Sequence, residues 1–298
     1  MSDLYFSDFL ARHHLPMSYT LTAQQWFFPL VRSLALKQII SGNTLIVGIS
    51  GSQGSGKSTL ADFLALTLGE LHQIHAVILS IDDFYYTRLQ RQILSRTVHP
   101  LLATRGVPGT HDVALAINTV RDLSSQGTAS IPRFDKTIDD RLPGEKWDRV
   151  KTKPNVIILE GWCLGAEPQS EETLLKPVNE LEKNEDPDGV WRQHVNQQLR
   201  DVYPELFNMI DSWIMLKAPS FDCVFQWRLE QENKLRESLS GASSSTDKLM
   251  NEQEIKRFIQ HYQRITEQLL KTLPDKVDFL FELNEKRKII KTRLRTED

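Results

Sequence analysis

The sequence predicts an α/β fold: a doubly wound, mainly parallel sheet of about five strands, with helices on both faces and a helical lid and insertions. Three observations carry this. Short apolar runs of strand length recur along the chain, three of them are near-continuous in Val, Ile and Leu, and longer stretches of helical periodicity separate them. Continuous apolar strands suit a sheet buried on both faces. Strands that alternate with helices imply right-handed βαβ crossovers.

Taken in order, residues 1–20 are mixed in character and predict nothing firm. From 21 to 40, Trp26, Leu30, Leu34 and Ile39/Ile40 recur at helical spacing, and Gly42-Asn43 stops that helix. The strand-like runs are 45–49, 76–81, 156–159, 213–216 and 277–283, and the helical stretches are 60–68, 113–123, 191–207, 221–235 and 254–273. Three segments break the rhythm: 83–111, 131–150 and the small, polar 238–248 (SLSGASSSTDK), which reads as a flexible loop. The chain of 298 residues shows no internal repeat, so one domain with long functional insertions fits better than two domains. It divides into an N-terminal helical extension (1–42), the folded body, and a basic tail (286–298).

Composition removes several function classes. Lys plus Arg number 36 against 39 Asp plus Glu, a net charge of −3, which argues against a polyanion as main partner. The six basic residues of 286–295 have no interleaved aromatics and read as a solvated tail rather than a nucleic-acid arm. Cys163 and Cys223 cannot form a disulfide framework or a four-cysteine metal site. Asp3 and Asp8 stand where a signal peptide would be basic then apolar, and no window approaches 18 uninterrupted apolar residues. The expectation is a cytoplasmic protein with a small-molecule substrate, no nucleic acid and no membrane. Nothing in the sequence fixes an oligomeric state.

The strongest motif is Gly51-Ser52-Gln53-Gly54-Ser55-Gly56-Lys57-Ser58, a full G-x-x-x-x-G-K-[ST] match set between a strand-like run and a helical stretch that starts at Thr59. Glycines let the backbone curl so that successive N–H groups face phosphate oxygens, and the following helix adds its positive end. Lys57 is expected on the β/γ-phosphates of ATP, and the Ser58 hydroxyl on Mg²⁺. A guanine-reading N-K-x-D is absent, since Asn233-Lys234-Leu235-Arg236 lacks the Asp; Leu239-Ser240-Gly241-Ala242 only approaches an L-S-G-G-Q signature.

Phosphoryl transfer to a hydroxyl also needs a base, metal ligands and charge to hold the acceptor. The run 76–81 ends in Asp82-Asp83-Phe84-Tyr85-Tyr86, and ligands of open α/β sheets bind at strand carboxyl ends. Asp82 is the candidate base; Asp83 could orient it, reach metal through water, or cap a helix. The run 156–159 ends in Glu160, where a carboxylate would meet Mg²⁺ or its water shell. Arg105, His111, Arg133 and Lys136 lie in the long loops between, together with Arg141, and could clamp an anionic acceptor. Asp83 and Tyr85 join that substrate shell, while His111-Asp112 could equally start the helix at 113. In 221–236, Arg228 could reach the transferring group from a lid, or belong to a surface helix laced with i,i+4 pairs.

The blocks GSQGSGKST, LSIDDFYYTRLQ, HPLLATRGVPGTHD, IPRFDKTIDDR, ILEGWCLG and WRLEQENKLRE together resemble the D-glycerate 3-kinases of the P-loop kinase superfamily, over about residues 44–290. A yeast ATP-dependent kinase homologue is similar as well. More distantly, S-x-D-x-F-Y resembles the strand end of uridine kinases, phosphoribulokinases and pantothenate kinases, where the Asp serves as acceptor-side base. The resemblance implies ATP plus D-glycerate giving ADP plus 3-phosphoglycerate, with Mg²⁺. On that reading Lys57 and Ser58 bind phosphate and metal, Asp82 serves the primary hydroxyl, Glu160 supports Mg²⁺, and Arg105, Arg133 and Lys136 hold the acceptor. The alternatives are a related kinase with another small acceptor (uridine, pantothenate or a sugar phosphate) and a regulatory ATP-binding or ATPase module.

Overall fold

A computed structural model of the protein describes residues 3–239 and 251–294. Helices α1 (Asp3–Arg12), α2 (Tyr19–Thr22) and α3 (Phe28–Ser41) come first, with one π-turn at Ala23–Phe27 joining α2 to α3. Gly42 ends α3 at φ 64, a left-handed conformation open to glycine without steric cost. Strand β1 (Leu45–Gly51) runs through the glycine loop into α4 (Lys57–His72), and β2 (Ala76–Ser80) precedes α5 (Arg88–Thr97) and α6 (Val113–Ser125). The short strands β3 (Ala129–Ile131), β4 (Phe134–Asp135), β5 (Asp140–Arg141) and β6 (Asp148–Val150) form two small ribbons before β7 (Val156–Gly161). Then follow α7 (Glu171–Leu174), α8 (Glu180–Glu185), α9 (Val190–Asp201), α10 (Tyr203–Phe207), β8 (Ser212–Lys217), α11 (Phe221–Leu239), α12 (Glu252–Thr272), β9 (Phe279–Leu283) and β10 (Ile289–Leu294).

The main sheet has the order β10-β9-β8-β1-β7-β2. All its neighbours pair in parallel except β9 and β10. The sixth strand is a departure from the sequence reading, because β10 occupies the stretch taken as a solvated basic tail. Its charges are paired along the sheet edge: Arg293 with Asp275 at 3.0 Å and Lys291 with Glu282 at 3.7 Å. Residues 295–298 lie outside the described residues, as do 240–248 of the Ser-rich loop. A second departure is the helix expected over 191–207, which is two helices. Pro204 opens α10 and has no N–H with which to continue α9.

β1 and β7 are buried along their whole length, as strands covered on both faces must be. Helix α4 packs on β1, β2 and β7, and α3 packs on α4 and β1. The N-terminal extension is bound into this core. Phe6, Phe9 and Phe27 meet Phe63 of α4 at ring-centroid distances of 6.2, 5.7 and 5.7 Å. Such aromatic pairs add about 0.5–1.5 kcal/mol each beyond buried area, so the extension is fastened to the helix that begins at the glycine loop. Cys163 is buried, Cys223 is half-buried, and both are free thiols. No helix among the described residues is long and apolar enough to cross a membrane.

Candidate active site

Three strand ends meet here. Ile49, Glu160 and Ser80 stand in register across β1, β7 and β2, so the glycine loop, Glu160 and Asp82 emerge at one edge of the sheet. The loop's shape requires glycine at two places. Gly54 and Gly56 have φ of 75 and 91, and a Cβ on Gly54 would come within 2.7 Å of the Trp227 Cβ. The buried Ser52 and Ser55 hydroxyls and Gln53 Oε1 have no hydrogen-bond partner among the described residues. Buried polar atoms are rarely left so unless a ligand or water completes them, and here they surround a helix N-terminus suited to an anion.

Ser58 donates to Glu160 Oε1 at 2.9 Å, and Lys57 Nζ lies 3.8 Å from Glu160 Oε2. Glu160 is buried, and its Oε2 has no hydrogen-bond partner among the described residues. One hydroxyl and one carboxylate do not enclose a metal ion, and no group of three or more metal-ligating side chains occurs among the described residues. Mg²⁺ suits such a half-site, because it keeps several waters and completes its shell with substrate phosphates. The residues therefore fit that ion.

Asp82 sits in the 3₁₀ turn Ile81–Phe84 that follows β2. Its carboxylate accepts from the Tyr85 hydroxyl at 2.8 Å and from Lys136 Nζ at 2.7 Å. Burial pushes the carboxyl up, but the Lys136 and Lys57 ammoniums and the two hydrogen bonds outweigh it and hold the group well below the usual carboxylate range. Burial and the neighbouring Asp82 charge push the Tyr85 hydroxyl well above 10, so it stays a donor.

Lys57, Ser58, Asp82, Tyr85, Arg105, Lys136 and Arg228 all line one cleft of about 290 Å³, together with Gln53 and Gly54. Four cations (Lys57, Arg105, Lys136, Arg228) face a single carboxylate there, so the cleft favours an anion. Four residues expected in the acceptor shell do not line it. Asp83 accepts from Arg133 Nη1 at 2.6 Å and from the Phe134 amide at 3.1 Å, and Arg133 also binds Asp148. These two residues bond to each other and fix the 131–150 insertion against β2. His111 is buried beneath Tyr85, with ring centroids 4.5 Å apart and Nδ1 2.6 Å from the Tyr203 hydroxyl. Burial lowers its pKa to about 4, so it is neutral packing under Tyr85. Arg141 pairs with Asp112, which caps α6 by accepting from the Leu115 amide.

Sequence reasoning missed the aromatic wall. Trp162, Phe258 and Tyr262 line the cleft with Gln231. Tyr262 donates to the Arg105 carbonyl and Trp162 Nε1 to that of Gly106, both at 3.2 Å. Gly106 has φ 139, and a Cβ there would lie 2.3 Å from the Tyr262 oxygen, so the loop that presents Arg105 is clamped to α12. Buried Arg91 was missed too. It reaches the carbonyls of Tyr86, Ala103 and Asp139 and so joins the loops that carry Arg105 and Lys136. Arg105 itself is held by Asp139 and lies 5.5 Å over the Phe134 ring. Arg228 pairs with Glu232 at 2.7 Å, the i,i+4 pair of a surface helix, yet it still lines the cleft.

A mainly parallel sheet with this glycine loop, Lys57, Ser58 and a strand-end acid defines a P-loop nucleotide-binding fold. The sequence model of the Phosphoribulokinase / Uridine kinase family matches residues 46–166. The "Uncharacterized kinase mug58" of Schizosaccharomyces pombe is 34% identical over 79% of this chain and 84% of that protein. The chloroplastic D-glycerate 3-kinase of Arabidopsis thaliana is 30% identical over 73% of this chain, which spans 46% of it. The structure of D-glycerate 3-kinase from Cryptococcus neoformans var. grubii superposes with a TM-score of 0.72 at 25% identity, over 89% of this chain and 99% of the other. The chain belongs to this kinase family, whose fold it shares and whose members use ATP.

Proposed function

We propose that the protein transfers the γ-phosphoryl group of ATP to the primary hydroxyl of D-glycerate, giving 3-phosphoglycerate. One observation carries the reading: a carboxylate held ionised, Asp82, shares a small cleft with four cations beside a phosphate loop. About 290 Å³ is at the lower edge of the range for ligand pockets, roughly 300–1,000 Å³. The four cations lining it favour an acceptor that carries a carboxylate over an uncharged nucleoside. The names of the Arabidopsis and Cryptococcus relatives point to the same acceptor.

The chemistry then divides among this chain's residues. Lys57 neutralises charge on the group being transferred, and Arg228 on α11 adds to it. Lys136 and Arg105 bind the acceptor carboxylate. Asp82 orients the hydroxyl and takes its proton as the new O–P bond forms, while the bridging P–O bond breaks and its electron pair leaves on ADP. Ser58 and Glu160 would hold Mg²⁺, which when bound would supply positive charge to offset that of the phosphates. Trp162, Phe258 and Tyr262 keep water from the cleft. A coupled ADP-release screen over D-glycerate, uridine, pantothenate, ribulose 5-phosphate and no acceptor tests the reading. Glycerate-dependent ADP release with 3-phosphoglycerate as product is expected. Equal release without any acceptor would refute it.

A further inference from the structure

Each of the four cations of the cleft has an acid partner. Lys57 pairs with Glu160, Arg105 with Asp139, Arg228 with Glu232 and Lys136 with Asp82. Of these four acids only Asp82 lines the cleft, and Asp82 is the group that must take the hydroxyl proton. Lys136 therefore stands between two anions, its partner Asp82 and the carboxylate of the acceptor. We propose that the acceptor's carboxylate draws Lys136 off Asp82, so that this group both binds the acceptor and unmasks the base that serves it.

The two hydrogen bonds on Asp82 divide into a fixed one and a movable one. Oδ1 accepts from the Tyr85 hydroxyl at 2.8 Å, and Oδ2 accepts from Lys136 Nζ at 2.7 Å. Tyr85 is buried, stacked on His111 and edge-on to Phe134, so its hydroxyl stays in place. Lys136 is more than half exposed, and its ammonium sits on a flexible four-carbon stem in the turn between β4 and β5. The turn itself is held. Asp135 accepts from the Thr137 amide and hydroxyl, Asp139 pairs with Arg91 at 3.0 Å, and Asp140 accepts from the Arg88 amide. Only the ammonium has to move. Burial opposes the charge on Asp82, and the Lys136 ammonium is the largest influence that offsets it. A pair this exposed is weakly held, so a carboxylate in the cleft competes for Lys136 where a neutral alcohol or water does not. Binding of a group remote from the reacting hydroxyl is thereby used at the reacting centre, which sets glycerate apart from water as an acceptor.

This inference rests on the glycerate reading above. Lys136→Met tests it with three acceptors: D-glycerate, glycerol (which has the hydroxyls and no carboxylate) and water. The kcat/KM for glycerate should fall, because a binding cation is lost. The kcat/KM for glycerol and the rate of ATP hydrolysis without acceptor should instead rise, roughly 3- to 10-fold, as for release of a partly screened charged hydrogen bond. A lysine that only binds the acceptor carboxylate gives no gain with either. Lys136→Arg should return glycerol and water to parent rates, and Asp82→Asn added to Lys136→Met should abolish the gain. Because the signature is a gain, misfolding does not imitate it. Glycerate-dependent transfer in the parent with no rise for glycerol and water in Lys136→Met overturns this inference and leaves the acceptor reading standing. A parent with no glycerate-dependent transfer overturns both.

Discussion

Replacing Asp82 by Asn separates chemistry from structure at the site. The amide keeps the shape and an oxygen to accept from Tyr85, and loses the charge and the second acceptor that face Lys136. Asp82 is 28% and Lys136 59% exposed, so solvent screens their pair, and such pairs are worth about 0–1 kcal/mol. The melting temperature should therefore fall by no more than about 2–4 °C. Transfer should suffer far more. Loss of a positioned proton acceptor costs typically 10²–10⁴ in turnover, about 2.7–5.4 kcal/mol of barrier. The depressed pKa of Asp82 makes it a weak base in the ground state, which suits a late proton transfer in a loose phosphoryl-transfer transition state. The assay is ADP release coupled to NADH oxidation, with 3-phosphoglycerate measured directly and ATP affinity measured by calorimetry. A kcat within threefold of the parent, or a parallel loss of ATP affinity, would remove Asp82 from the mechanism.

Arg105→Ala should raise the KM for glycerate roughly 10- to 100-fold, as for a lost charge-assisted hydrogen bond, with the ATP KM changed less than threefold. Initial-rate kinetics with each substrate varied will separate the two, and an unchanged glycerate KM would leave that arginine a structural partner of Asp139. Acid stability should be set partly by two buried histidines, His111 and His261, whose pKa values burial lowers to about 4. Between that value and the ordinary 6.5 the unfolded chain binds the extra proton, so folding stability falls as pH drops. Each histidine should cost about 2 kcal/mol between pH 7 and pH 5, read as the shift in urea-unfolding free energy, and His261→Gln should remove its share of that slope.

The legible part of the molecule was what local sequence determines. Strand-length apolar runs mark all five parallel strands of the sheet, and the eight-residue glycine motif and the acids after β2 and β7 follow from their strand ends. What was not legible depends on partners distant in sequence. Asp83 and Arg133 are 50 residues apart and read separately as substrate ligands, yet they satisfy each other. Phe258 and Tyr262 follow the same helical spacing as the core residues Ile255 and Ile259, so nothing in the pattern marks them as cleft wall. The strand β10 was hidden because its six residues include a Lys and an Arg, a composition that solvent and a sheet edge accept equally.

The positions of the chemically active groups reduce to one row of the sheet. Because β7 lies between β1 and β2, Glu160 has Ile49 on one side and Ser80 on the other in the same register. Two residues beyond Ile49 the chain reaches Gly51 and the loop; two beyond Ser80 it reaches Asp82. Strand spacing of about 4.8 Å then sets the lateral separation of the glycine loop, Glu160 and Asp82, independently of the insertions. The insertions supply Arg105 and Lys136 from loops joined by Arg91 and clamped by Tyr262. On the proposed function, phosphoryl transfer is built into the rigid sheet, and acceptor choice into loops that can change without disturbing it.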